Sequence, residues 1–366
     1  MIKEGRFGYY EAISLITITI ATKFFFTSPA MLVELVGTTG WYMTIISALT
    51  AAFAFMFLYL LLKRFPNKNI MEISDLVLGK WGGFLLSFIF GVFLIWTAGM
   101  SVREFTEVLK VYVLPESPPS FITASFVIVI VVLAYMGLET IARFAKFIIY
   151  VLGAGYVLVI LLSSQNYMPR NLFPLLGYGL DKTIINGLLR CSFYGEIVLI
   201  GVIASSLQGH KEIKKIGFLS LLISGALTSF SLLIFTLVFP YTVGQELTSP
   251  MYEMATLIDY GGFLQRMEPI FLFLWNFGTF IEVSLVFYTV IMIFCHIFRI
   301  DDKRPVILPM ATVMYCLSFI PREISEVLSG AVQSIRSWGW TMYYLPSIFI
   351  LIVALIRKKK GDSQNA

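Results

Sequence analysis

The sequence carries little charge for its length. Asp, Glu, Lys and Arg make up 13% of its 366 residues, whereas a soluble globular protein has about 25% charged residues. So few charges cannot cover a water-exposed surface, which excludes a soluble fold. Histidine is scarcer still, with only His210 and His296, and these two lack the spacing of metal ligands. We therefore expect no metal site and no cofactor.

Motifs for catalysis are also missing. The three cysteines, Cys191, Cys295 and Cys316, contain no CxxC pair and predict no disulfide framework. No phosphate-binding loop, nucleotide fingerprint or nucleophile motif occurs. The net charge of +5 comes mostly from predicted cytoplasmic loops and a lysine-rich tail, so it does not indicate nucleic acid as a partner. The sequence therefore gives no support to an enzyme.

Long apolar runs are abundant instead, and 58% of the residues are hydrophobic. Runs of about 20 apolar residues recur along the whole chain, which indicates an integral membrane protein with the lipid bilayer as its solvent. Its spans must be helices, because no water is present to satisfy open backbone groups. We predict an all-α fold in one transmembrane domain over residues 1–366. Its ten spans are 9–36, 41–62, 82–113, 119–137, 144–163, 183–206, 215–240, 268–298, 306–320 and 338–356.

The distribution of positive charge predicts the orientation. With a cytoplasmic N-terminus, the inner segments carry about three times as many Lys and Arg residues as the outer ones, as the positive-inside rule requires. Both termini are then cytoplasmic, with residues 357–366 forming a basic tail. The outer segments hold the minority of the cations, Lys110, Arg170, Lys182, Arg266, Arg322 and Arg336.

The first span has a polar middle, at residues 22–29 (TKFFFTSP). A lysine near the bilayer centre, here Lys23, costs at least about 2.5–3.5 kcal/mol on insertion scales. Pro29 removes a helical N–H and clashes with the preceding turn, so the helix should break just before it. We expect a discontinuous helix that lines a ligand site.

Five spans precede the loop near residue 170 and five follow it, so the two halves, 8–163 and 180–356, enter the membrane from opposite sides. Such halves form an inverted repeat if they share a fold, and paired broken helices then indicate the binding site of a transporter. The counterpart of the first span is span six. There Ser192, Gly195 and Glu196 interrupt the apolar run.

The two predicted breaks supply the candidate site. Lys23 and Glu196 would be adjacent, and three roles stay open for them: a bridge that only fixes helix packing, ligand binding, or ion binding. Glu282, central in span eight, is a further ion or proton candidate, as are Lys23 and Glu196. Phe24 could line an apolar pocket or simply pack. The candidate ligand-binding residues are Thr22, Lys23, Phe24, Thr27, Ser28, Ser192, Tyr194, Gly195 and Glu196.

Three further patterns concern the membrane surface. Arg103 and Glu107 share a helix face at the outer end of span three, and we expect them to pair with each other. Residues 67–78 predict a short amphipathic helix on the inner surface, with Ile70, Ile73, Leu76 and Val77 on one face. The long outer loop 241–265 predicts either a lid helix or an ordered surface loop.

The order and spacing of several motifs resemble the permease-like B-subunits of bacterial spore germinant receptors. The resemblance covers about residues 8–356, and the position of Trp275 also fits. It is carried by residues 65–73 (FPNKNIMEI), 78–82 (LGKWG), 103–105 (REF), 114–118 (LPESP), 172–176 (LFPLL), 194–196 (YGE) and 250–253 (PMYE).

This resemblance implies a ten-helix LeuT-type fold of the amino acid–polyamine–organocation superfamily, with helices 1 and 6 broken. It also implies residence in the spore inner membrane and action with A-type and C-type subunits. There the protein would bind a small nutrient, such as an amino acid, and trigger germination. This chain departs from the family pattern in one respect, because no glycine precedes Pro29 in the first span.

Two other functions stay open at this point. The same fold serves proton- or cation-coupled amino acid transporters, and fold alone does not choose between sensing and transport. A scaffold subunit, whose polar centre only holds helices together, is the third possibility.

Overall fold

The computed structural model describes residues 5–25, 27–207, 212–261, 264–265 and 267–361. Phe26, His210, Arg266 and residues 362–366 of the tail lie outside the described residues. In the described residues the chain is almost entirely helical, as a bilayer requires. The α-helices are α1 Tyr9–Ala21, α2 Ser28–Val36, α3 Gly40–Arg64, α4 Ile70–Leu78, α5 Lys80–Tyr112, α6 Pro119–Met136, α7 Leu138–Leu162, α8 Leu180–Leu189, α9 Ile200–Ile203, α10 Ile213–Val238, α11 Tyr241–Gly244, α12 Pro250–Thr256, α13 Glu268–Phe298, α14 Arg304–Ser318 and α15 Gln333–Ile356.

Tighter and wider helical turns connect several of these helices. A π-helix, Glu326–Val332, leads into α15. Strands β1 (Asp259–Tyr260) and β2 (Leu264–Gln265) form a small antiparallel hairpin in the predicted outer loop, with Asp259 opposite Gln265. The 3-10 segments are Thr22–Phe25, Gly37–Thr39, Ser163–Asn166, Pro169–Leu172, Arg190–Leu199 and Ala204–Ser206.

Eight helical segments among the described residues are long and apolar enough to cross a membrane, and the chain is a multi-pass integral membrane protein. The predicted first span appears as the two short helices α1 and α2, and the predicted ninth span appears as α14, a shorter apolar helix. The exact number of ten spans stays a prediction. The predicted outer loop holds α11, α12 and the hairpin, and its role as a lid also stays a prediction.

The two irregular spans, the first and the sixth, lie at the centre of the helix bundle. Helix α1 packs against α7, α10 and α13, while the 3-10 segment Arg190–Leu199 packs against α3 and α15. Every residue of that 3-10 segment is buried, as expected for a helix surrounded by other helices. The centre of the molecule is therefore built from the two segments that the sequence marks as irregular.

Helix α4 confirms the predicted amphipathic segment, with a shorter length than residues 67–78. A capping box begins it: the Asn69 side chain accepts a hydrogen bond from the Glu72 N–H at 2.9 Å, and the Glu72 carboxylate accepts one from the Asn69 N–H at 3.0 Å. Ile70, Ile73 and Val77 are buried, but Leu76 is 43% exposed, so it is not on the buried face.

This cap gives a first prediction. The variant Asn69→Ala removes the side-chain acceptor and should destabilise the protein by about 1 kcal/mol, a typical loss for an N-cap. The free energy of unfolding in detergent measures it. Asn69→Asp keeps an acceptor and should be nearly neutral. Equal losses in the two variants would show that the cap does not hold α4.

Candidate functional site

The first span breaks where its polar residues predict. Helix α1 ends at Ala21, a 3-10 turn follows, and α2 begins at Ser28 with Pro29 in its first turn, where the missing N–H does no harm. Side chains replace the backbone hydrogen bonds that the break removes. Ser28 Oγ donates to the Lys23 carbonyl at 2.6 Å, and Trp275 Nε1 donates to the Thr22 carbonyl at 3.2 Å. The break therefore needs no glycine.

Span six is irregular but not unwound. After α8 the chain continues as a 3-10 helix from Arg190 to Leu199, although such helices rarely exceed 3–4 residues and a long one often marks a functional hinge. Gly195 explains why α15 can lie so close to this segment. A Cβ atom at Gly195 would lie 2.1 Å from Cδ2 of Tyr343, so only glycine allows α15 to approach so closely.

Lys23 and Glu196 meet at the junction of the two irregular segments. The Lys23 ammonium donates to Glu196 Oε2, and the hydroxyl of Tyr343 donates to Glu196 Oε1 at 2.8 Å. The two charged side chains are 11% and 2% exposed. Because burial of either charge alone is costly, each one requires the other. The pairing that the sequence raised is thus present in the structure.

A second charged cluster lies beside this pair. Arg336 donates to both carboxylate oxygens of Glu104, at 2.9 and 3.0 Å, and to Thr27 Oγ1 at 3.2 Å. The Thr27 hydroxyl in turn donates to Glu104, and Ser192 Oγ donates to the Arg336 carbonyl. This cluster ties both irregular segments to α5 and α15, and at its centre Nη2 of Arg336 contacts both carboxylate oxygens of Glu104.

The position of Arg336 corrects the sequence analysis, which placed it in an outer segment. The residue is 4% exposed and lies within α15, which begins at Gln333. The predicted tenth span began at residue 338, since a charged residue just before an apolar run is normally found outside the membrane. Hydropathy alone could not extend the helix past Arg336. Its ion-pair partner Glu104, which offsets the cost of burying the guanidinium, is more than 200 positions away in the sequence.

Between these two clusters lies a cavity of about 20 Å³, which has room for about one water molecule. Its walls combine both charge clusters with neutral polar and apolar side chains, so the protein's own charged groups fill the space between the two irregular segments. The lining residues are Lys23, Thr97, Met100, Ser101, Glu104, Ser192, Glu196, Val332, Ile335 and Arg336.

Not all candidate residues lie at this cavity. The Tyr194 hydroxyl contacts Thr228 Oγ1 at 2.7 Å and donates to the Thr44 carbonyl at 3.2 Å, so it points toward α10 and α3. Thr22 Oγ1 donates to the Ile18 carbonyl within its own helix. Phe24 is fully buried, with its ring 5.0 Å from that of Phe193, which favours a packing role.

Two other acidic residues within the spans, Glu282 and Glu107, have defined hydrogen-bond or ion-pair partners. Glu282 is buried at 4% exposure, and Ser101 Oγ donates to its Oε1 at a long 3.4 Å. Glu107 pairs with Arg103 at 2.7 Å, one helical turn apart, which confirms the predicted pair on α5. Thr97, Ser101 and Tyr343 were missed, since isolated polar residues in a span give no signal until their neighbours are known.

The arrangement has counterparts among solved transporters. The structure of Mhp1, a nucleobase-cation-symport-1 family transporter, in a closed conformation with bromovinylhydantoin bound, is similar with a TM-score of 0.66, covering 92% of this chain and 79% of that chain at 12% identity. The structure of MhsT in complex with L-phenylalanine also has a TM-score of 0.66 at 12% identity, covering 98% of this chain and 91% of that one. The chain therefore has the LeuT-type fold, with broken helices at its centre.

The chain belongs to the spore germination protein family, whose model matches residues 8–327. Spore germination protein KB of Bacillus subtilis is 25% identical over 340 residues, covering 91% of each chain. Spore germination protein A2 of the same organism is 24% identical over 371 residues, covering 96% of this chain and 97% of its own. The resemblance drawn from the sequence motifs is confirmed, and neither this family nor the similar solved structures are enzymes.

The Lys23–Glu196 pair gives a second prediction. Lys23→Met leaves a buried carboxylate without its cation and should cost about 3–5 kcal/mol. The double variant Lys23→Met/Glu196→Gln removes both charges and should recover most of that loss. Unfolding free energies of the two single variants and the double variant complete the cycle. Additive losses would show that the two residues do not stabilise each other.

Gly195 gives a third prediction. Gly195→Ala forces a Cβ into the Tyr343 ring and should destabilise the protein, because the backbone of α15 must shift. Gly153→Ala is the matched control: the site is helical and open, with no atom within 4 Å, so alanine should stabilise by about 0.5–1 kcal/mol. Thermal unfolding compares them. A neutral Gly195→Ala would contradict the close approach.

Proposed function

We propose that this chain is the permease-like subunit of a spore germinant receptor and binds an amino acid at its two irregular segments to trigger germination. The observation that carries this proposal is the Lys23–Glu196 pair, buried where the segments meet. An ionisable pair inside a membrane protein is costly to keep, and function is the usual reason for it. Membership of the spore germination protein family supplies the biological context.

The chemistry of this pair matches a zwitterion. A cavity of about 20 Å³ does not admit an amino acid, so the ligand must separate Lys23 from Glu196. Its carboxylate then takes the place of Glu196 beside Lys23, and its ammonium takes the place of Lys23 beside Glu196. One buried ion pair is thus replaced by two, and no charge is left without a partner. The 3-10 segment of span six supplies a backbone that can adjust to this exchange.

The partner subunits and the orientation in the membrane are part of the same proposal. The family context favours action with A-type and C-type subunits in the spore inner membrane. The positive-inside rule favours cytoplasmic termini, and the burial of Arg336 removes one cation from the outer side, which strengthens that bias.

Glu282 favours a second candidate function, a proton- or cation-coupled amino acid transporter. It is a buried carboxylate that accepts a hydrogen bond from Ser101 Oγ at a long 3.4 Å. A buried carboxylate with only a long hydrogen bond is better suited to bind a transported proton or cation than to hold helices together. Uptake of labelled amino acids into vesicles that contain the purified protein decides between transport and sensing.

The test of ligand binding is a thermal-shift titration of the purified protein with the common amino acids. We expect at least one to raise Tm, and we expect Lys23→Ala to abolish that shift. The control is Lys146→Ala, which removes a different ion pair, Lys146–Glu11 at 2.7 Å, that also holds α1. A shift that survives Lys23→Ala, or no shift with any amino acid, would contradict the proposal.

A further inference from the structure

One buried cation in the spanning helices, Arg190, has no carboxylate partner among the residues that the structure describes. Among the described residues, three buried cations have partners within 4 Å, in the pairs Lys23–Glu196, Arg103–Glu107 and Arg336–Glu104. Arg190 is 6% exposed and forms no such pair with any described residue. Its guanidinium contacts a sulfur atom instead: Nη1 lies 3.9 Å from Sδ of Met31. Thioether sulfur is a weak acceptor, so a guanidinium with five N–H donors is poorly satisfied there.

The surroundings of Arg190 favour an anion. A second guanidinium, that of Arg336, is close enough to repel it, and Glu34 on α2 attracts it from a distance without an ion pair. Ser192, two residues beyond Arg190, donates to the Arg336 carbonyl and lines the cavity. Arg336 lines the cavity and is paired with Glu104, whereas Arg190 lies outside the lining and its positive charge is not offset by an ion pair with any described residue. A carboxylate is the group that suits such a guanidinium.

We propose that Arg190 binds a second carboxylate of the ligand, and that the ligand class is the acidic amino acids. This inference rests on the proposed function. A simple zwitterion exchanges with the Lys23–Glu196 pair and leaves Arg190 unsatisfied, whereas an acidic amino acid satisfies it as well. Arg190 and Glu196 are six residues apart in one 3-10 helix, about 12 Å along its axis. The Arg190 side chain contacts the first span at Met31 and the Glu196 side chain contacts it at Lys23, and in this proposal the ligand lies extended along that span between the two.

The experiment measures affinity by titration of the purified full-length protein with L-glutamate, L-glutamine, L-aspartate and L-asparagine. We expect each acid to bind more tightly than its amide. Arg190→Gln should weaken glutamate binding by at least about tenfold, the size of one charged hydrogen-bond contact, and leave glutamine binding nearly unchanged. Arg190→Lys should restore part of the preference. The matched control is Arg170→Gln, because Arg170 is exposed and also contacts a methionine sulfur, at 3.4 Å.

Unliganded stability gives an independent readout. A binding arginine without a partner destabilises the empty protein, so Arg190→Gln should raise its Tm, whereas a structural arginine should lower Tm when replaced. A lower Tm together with an unchanged preference for acids would overturn the role of Arg190. Equal binding of acids and amides would overturn the ligand class while leaving the proposed function intact. Failure of all amino acids to bind would overturn both.

Discussion

The contact between Lys23 and Glu196 is the interaction on which the centre of the structure depends. It joins two segments that cannot be regular helices, one broken before Pro29 and the other tightened into a 3-10 helix around Gly195. Each charge makes the burial of the other tolerable, and Tyr343 fixes the carboxylate from a third helix. A protein that needed only an anchor would replace the pair with hydrophobic residues and gain stability.

The Arg336–Glu104 cluster lies beside the Lys23–Glu196 pair and forms the other wall of the central cavity. Through Thr27 and Ser192 it connects both irregular segments to α5 and α15. In the proposed function, a ligand that separates Lys23 from Glu196 would therefore also disturb contacts with two further helices, which would couple ligand binding to helix positions across the bundle. Such coupling is what a receptor subunit requires, since its output is a change of shape that a neighbouring subunit can detect. Transport requires in addition that the cavity open on both sides in turn.

The features that were predictable from sequence are those that depend on residues close together in the chain. The break at Pro29, the polar centre of span six, the i,i+4 pair of Arg103 and Glu107, and the helix begun by Asn69 all follow from neighbours a few positions away. The features that were missed depend on partners far along the chain. Arg336 was assigned to the outer side because Glu104 could not be known as its partner. The contacts of the Tyr194 hydroxyl with Thr44 on α3 and Thr228 on α10 could not be known either, and its place in a ligand site stays a prediction. The predicted break in span six proved to be a change of helix type, which residue patterns do not distinguish from unwinding.

The central claim is that a ligand replaces each member of the Lys23–Glu196 pair with its own opposite charge. The most direct measurement is a cryo-electron microscopy structure of the protein with a bound amino acid. The account predicts that the Lys23 ammonium and the Glu196 carboxylate lie apart, with the ligand's carboxylate on the first and its ammonium on the second. A ligand bound elsewhere in the molecule, with the Lys23–Glu196 contact still intact, would contradict it.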